Sequence, residues 1–189
     1  MAKRVKKVVV AETPKLVKLD LGCGEAKAEG FIGVDKRSLP GVDVVLDLSS
    51  GPGSEPWPWE DGSVDEINCS FMLPYLSSEA RIYFMDECHR ILKKGSKMGL
   101  RVAHSSCMRS LIDPYFQWPP ICEFSFLMYN AEWRKQNGCA YYPIKADFDF
   151  GYGYTMEADM NVRNEDYKQF AIKYYNNAVL DLIVTLTKR

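Results

Sequence analysis

Five short apolar runs, at 16–21, 31–34, 42–48, 64–69 and 98–103, are separated by Gly, Pro, Asp and Ser, and they constrain the fold more than any other feature of the chain. Runs of this length rich in Val, Ile and Leu suit strands buried on both faces of a parallel sheet. Between the fourth and fifth, the spacing predicts a helix over 77–94. Ser77 or Ser78 is available as its cap, Glu79 lies in its first turn, and Lys93-Lys94 precede Gly95 at its end. Phe84, Met85, Cys88, Ile91 and Leu92 form its apolar stripe. Strand, helix and strand in that order imply a right-handed parallel crossover, and so an α/β sheet. A chain of 189 residues, 47% hydrophobic, can bury one core, so we expect a single domain over 1–189.

The second half has a different texture. Asp113-Pro114, Trp118-Pro119-Pro120 and many aromatics make 104–142 an irregular segment laid over the sheet. A helix is expected over 123–137, stopping at Gly138, and another near 165–175. Alternation at Ala146, Phe148 and Phe150, and at Leu180, Leu182, Val184 and Leu186, predicts a closing antiparallel pair.

Composition narrows the class of function. The 24 basic and 25 acidic side chains nearly cancel, which argues against a polyanionic or membrane-surface partner. The basic opening Ala2-Lys3-Arg4-Val5-Lys6-Lys7 is followed by only four apolar residues, too few for a signal-peptide core or a membrane span, and reads as a solvated end leading into an edge strand. Cys23, Cys69, Cys88, Cys107, Cys122 and Cys139 form no C-x-x-C pair, and His89 and His104 lack metal-finger spacing, so no metal site is expected. Cysteines inside apolar runs suit a reducing cytoplasm.

Gly22-Cys23-Gly24 follows the first run, where glycines let the backbone approach a ligand. Lys27 stands where a nicotinamide-binding loop has its third glycine, which counts against that cofactor. Asp20 precedes the loop, Asp35 ends the second run, where a carboxylate can accept both hydroxyl hydrogens of a ribose, and Asp47 ends the third. Loop and acids thus fall at successive carboxyl ends of strands, where open α/β sheets bind ligands. Turn capping is the alternative for Asp35 and Asp47.

Together these residues resemble the class I S-adenosylmethionine-dependent methyltransferases. Leu19-Asp20-Leu21-Gly22-Cys23-Gly24 resembles the first motif of that family, Gly33-Val34-Asp35 the second, and Val44-Val45-Leu46-Asp47-Leu48 the third. Pro58-Trp59-Glu60-Asp61-Gly62-Ser63-Val64-Asp65 resembles the run into the fourth strand, and Arg90-Ile91-Leu92-Lys93-Lys94-Gly95 the end of the helix before the fifth. Eleven residues from Gly24 to Asp35 are too few for a full helix and a strand, which points to a compact subgroup with a shortened or missing first helix.

The resemblance implies a Rossmann-like methyltransferase fold, mostly parallel with a closing antiparallel pair, and S-adenosylmethionine as cofactor. It implies that Asp20 and the backbone of Gly22, Cys23 and Gly24 hold the methionine part, Asp35 the ribose with Lys36 beside it, and Asp47-Leu48 the adenine edge. Ser70 and Phe71 touch the cofactor on the same grounds. Phe71, Pro74 and Tyr75 replace the histidine, glutamate and second histidine often found there in the subgroup, so acid/base roles at those positions are lost.

His104, just beyond the fifth run, is the candidate base, with backbone bonding as its alternative role. Arg109, Asp113, Tyr115 and Trp118 are the candidate substrate contacts, within 104–142 as the segment covering the substrate, and packing is their alternative. No Asn-Pro-Pro-Tyr or Pro-Cys element follows the fourth run, so the expected acceptor is an O or N nucleophile of a small or glycan-like molecule. A non-catalytic cofactor-binding or partner subunit, and a nucleic-acid methyltransferase, are the competing readings. Nothing in the sequence specifies the oligomeric state.

Overall fold

The computed structural model describes residues 16–189; the expected basic end and edge strand at the start of the chain lie outside the described residues. Seven strands form one sheet: β1 (Lys18–Leu21), β2 (Ile32–Asp35), β3 (Val44–Val45), β4 (Val64–Ser70), β5 (Leu92–Ala103), β6 (Phe148–Thr155) and β7 (Asp181–Lys188). Their order is β3-β2-β1-β4-β5-β7-β6. β1 to β5 are parallel, and β7 runs antiparallel to both β5 and β6, as the alternating patterns of the two final runs predict.

The crossover helix α1 (Ser78–Ile91) starts where expected, with the Ser77 side chain accepting from Ala80 N. It turns Ala80, Phe84, Met85, Cys88 and Ile91 onto the sheet, where they join Ile67, Cys69, Met98, Leu100, Val102 and the β7 residues Leu182, Val184 and Leu186 in one core. Trp57 belongs to that core and meets Phe84 edge-on at 5.4 Å, so the Trp57-Pro58-Trp59 run is packing.

Three expectations need correction. First, β4 and β5 are not buried on both faces, and share the one-sided alternation of β7. Lys97 and Arg101 on β5, and Ile183 and Thr185 on β7, alternate with the core residues and are exposed. The reason is topological: among the described residues no helix lies between β1 and β2, β2 and β3, or β3 and β4, so none returns over the second face. Second, Lys93-Lys94-Gly95 belong to β5 rather than to the last turn of the helix. Leu92 is already extended, and Lys188 Nζ from β7 donates to the terminal carbonyls of Arg90 and Leu92 at 3.3 and 2.8 Å. Third, 123–137 is two pieces, a 3-10 turn Glu123–Tyr129 and the helix α3 (Ala131–Gln136). Asn130 breaks them, because its side chain caps Trp133 N at 2.9 Å while its amide donates to Phe148 O at 2.8 Å.

Three further helices complete the chain: α2 (Arg109–Ile112) after β5, then α4 (Ala158–Asn161) and α5 (Glu165–Tyr174) between β6 and β7.

Candidate active site

The carboxyl ends of β1 to β4 meet at a cavity of about 530 Å³. Its floor is the loop after β1, where the N–H groups of Gly22 and Cys23 both donate to Val34 O, at 2.8 and 3.2 Å, and so press the loop against β2. Gly22 has φ of +72°, and a Cβ there would lie 2.5 Å from Met72 Cγ. Only glycine satisfies both constraints.

Asp35 closes β2 and is buried. Its Oδ2 accepts from Gly24 N at 3.0 Å, and its Oδ1 accepts from Arg37 N at 2.9 Å and Arg37 Nε at 3.2 Å. Burial pushes the carboxyl up, but the Arg37 guanidinium and the two backbone N–H groups outweigh it and hold Asp35 below the usual carboxylate range. Asp47, after β3, is also held low, by the Ser49 hydroxyl and N–H, which both donate to Oδ1 at 2.5 and 2.9 Å. No donor among the described residues takes its Oδ2.

β4 ends at Ser70, and Phe71 then adopts φ of +56° while its N–H donates to Arg101 O at 2.7 Å. A left-handed conformation costs a non-glycine residue about 1–2 kcal/mol, here at the cavity wall. A 3-10 turn, Leu73–Tyr75, follows. Tyr75 O–H donates to Asp113 Oδ2 at 2.8 Å and its ring meets Phe116 edge-on at 4.8 Å. The buried Arg81 of α1 donates to four carbonyls, those of Leu73, Pro74, Gln117 and Pro119. These bonds bring Tyr115 and Gln117 to the outer cavity wall.

Among the residues singled out by sequence, Gly22, Asp35, Lys36, Asp47, Leu48, Ser70, Phe71 and Tyr115 line the cavity together. Asp20, Cys23 and Gly24 do not. Asp20 is buried behind the loop, accepting from Ala28 N and Asn68 Nδ2, both at 2.7 Å, so it braces the loop that carries Gly22. Cys23 and Gly24 reach the site through the backbone bonds to Val34 and Asp35.

His104 is buried away from the cavity wall. Ser106 N donates to its Nδ1 at 3.2 Å, which leaves Nε2 to carry the proton toward Glu123 Oε2 at 3.0 Å. Arg109 pairs with Asp181, Asp113 supports Tyr75, and Trp118, 78% exposed, stands off the cavity. Arg37, Leu46, Ser49, Met72, Tyr75, Leu76 and Gln117 also line it and were not among the residues singled out. Arg37 could have been found as the cation two places after Asp35. Gln117 carries no local signal, since its place is set by a 2.8 Å bond from its N–H to Pro74 O.

Among the described residues no group of three His, Cys, Asp or Glu is arranged to hold a metal, and no helix is long and apolar enough to cross a membrane.

Neither a protein-family model nor a curated protein matches the sequence. Solved structures do match the fold. A SAM-dependent methyltransferase from Archaeoglobus fulgidus superposes with a TM-score of 0.61 at 17% identity, over 93% of this chain and 87% of its own. The fold is that of the S-adenosylmethionine-dependent methyltransferases. A methyltransferase from Thermotoga maritima matches with a TM-score of 0.54 at 14% identity, over 94% of this chain and 84% of its own. The [4+2]-cyclase SpnF matches with 0.52 at 16% identity, over 92% and 74%. One fold thus carries proteins described by different reactions, and function has to be argued from the site.

Proposed function

We propose that this protein is an S-adenosylmethionine-dependent methyltransferase acting on an oxygen or nitrogen nucleophile of a small or glycan-like acceptor. The observation that carries the reading is the cavity wall itself. A glycine cradle that a Cβ would fill, two carboxylates held ionised, and Ser70 stand at successive strand ends around one space of suitable size.

The residues fit the cofactor part by part. Gly22 and Ser70 would hold the methionine portion, with Asp20 bracing their support. Asp35 would receive the ribose hydroxyls on its remaining lone pairs, with Lys36 beside it. Asp47 offers Oδ2 to the exocyclic amine of the adenine, and Leu46, Leu48 and Met72 supply apolar surface for the base. When bound, S-adenosylmethionine supplies an electrophilic methyl group on a sulfonium.

Tyr75, Tyr115 and Gln117 form the wall left for the acceptor. Neither histidine lines the cavity, so positioning of the nucleophile carries the rate in this reading. Six free cysteines suit a cytoplasmic enzyme. Isothermal titration should show saturable, one-site binding of S-adenosylmethionine and of its demethylated product; folded protein that gives no heat with either overturns the proposal.

A further inference from the structure

Asp181 is 2% exposed at the start of β7, and two arginines converge on it. Arg101 of β5 donates to Oδ2 through Nε at 3.0 Å and Nη2 at 2.7 Å, and Arg109 of α2 donates to Oδ1 through Nη2. One buried carboxylate is neutralised by one guanidinium, so the second leaves the cluster with a net charge of +1. Both arginine side chains are about half exposed, 48% and 49%, and the Arg109 guanidinium also meets the Cys107 thiol. The acids carried nearby in the chain are committed elsewhere: Asp113, the C-cap of α2, accepts from Tyr75, and Glu123 accepts from His104 and Tyr154. Among the described residues neither arginine pairs with any acid other than Asp181.

Neither arginine lines the cavity, but Arg101 stands beside residues that do, and Asp181 ties Arg109 to it. Arg101 is the register partner of Ser70 on β4, one strand spacing of about 4.8 Å away. Its guanidinium lies 5.4 Å from the centroid of the Phe71 ring. Ser70 and Phe71 both line the cavity. Asp181 holds the two guanidiniums in place, so a ligand meets donors already ordered rather than flexible side chains.

We propose that Arg101 and Arg109, oriented by Asp181, form an anion-binding rim of the active site that receives a carboxylate or phosphate group on the methyl acceptor. The inference rests on the methyltransferase reading and narrows it to acidic acceptors. A single surplus charge suits one anionic group on a small molecule, whereas a nucleic acid calls for a basic track.

The probe is inorganic phosphate, followed through the Nε–H resonances of the arginine side chains by NMR, on the free protein and on protein saturated with S-adenosylhomocysteine. The expected result is a saturable shift of Arg101 and Arg109 in both forms, with phosphate affinity about tenfold weaker in Arg101→Gln and in Arg109→Gln. Lys97→Gln, on the same exposed face, should leave the phosphate response unchanged. Absence of a saturable shift overturns the proposal. So does a phosphate response abolished by S-adenosylhomocysteine, since the rim would then hold the cofactor's own carboxylate. Absence of binding heat with both S-adenosylmethionine and its product sinks the methyltransferase reading by itself, while the titration of the free protein still reports on the two arginines.

Discussion

Gly22 and Asp35 are the residues on which cofactor binding should turn. A valine at 22 would combine an unfavourable φ with a clash against Met72, and both faults fall on the cavity floor. Gly22→Val should therefore weaken S-adenosylmethionine binding about a hundredfold or more by isothermal titration, equivalent to about 2.8 kcal/mol. Asp35→Ala should weaken it about 10–100-fold, because it removes the proposed ribose acceptor and releases the Gly24 and Arg37 N–H groups together. Asp113→Ala, which touches the site only indirectly, through Tyr75 and the Tyr115 N–H, should cost much less; equal losses in these variants would contradict the assignment of roles.

At the scale of elements, Arg81 links α1 to the segment that forms the outer wall. Its four carbonyl acceptors lie on two stretches of chain, Leu73-Pro74 and Gln117 to Pro119, which no sheet bond joins. Arg81→Met keeps the aliphatic bulk and removes every donor, so the Gln117 and Pro119 carbonyls lose charge-assisted bonds while those of Leu73 and Pro74 keep the Leu76 and Gln117 N–H groups. We expect a loss of about 2–4 kcal/mol in urea unfolding. Hydrogen exchange should also rise at the Gln117 amide, which bonds Pro74 O, more than in β5. Uniform exchange across the chain would show that Arg81 supports the core as a whole.

For the molecule as a whole, the response to pH should have two stages. Burial first, and then the charge of Lys188, push His89 below its ordinary value near 6.5, and its buried Nε2 has no hydrogen-bond partner among the described residues. The fold favours the neutral ring, so its contribution is fully present above about pH 6.5 and is lost as pH falls from there through the lowered value of the folded state. Asp35, Asp47, Glu87 and Glu123 are held below the usual carboxylate range, so their contribution is lost only on further acidification, below about pH 4. Burial raises Asp86 and opposes this second stage. The melting temperature should therefore fall between pH 7 and 5.5 in the parent protein and stay level over that window in His89→Phe. An identical slope in both proteins would remove His89 as the cause.

Much of this molecule was readable from local patterns. The β1 loop, the acids ending the second and third runs, the crossover helix and the antiparallel pair each follow from neighbours in the chain, because strand alternation, capping and glycine turns act over a few residues. The motifs from Leu19 to Leu48 therefore sufficed to locate the cavity's floor. What they could not indicate was decided across the fold. Arg101 and Arg109 reach Asp181 over 80 and 72 residues, Gln117 is placed by Pro74 and Arg81, and His104 turns from the cavity to Glu123. Such pairings leave no periodic trace, since they depend on which strands become neighbours. The local sequence thus set the glycine loop and the strand-end acids on the cavity's floor, and the tertiary structure alone decided which side chains stand beside them, because that depends on contacts between distant segments.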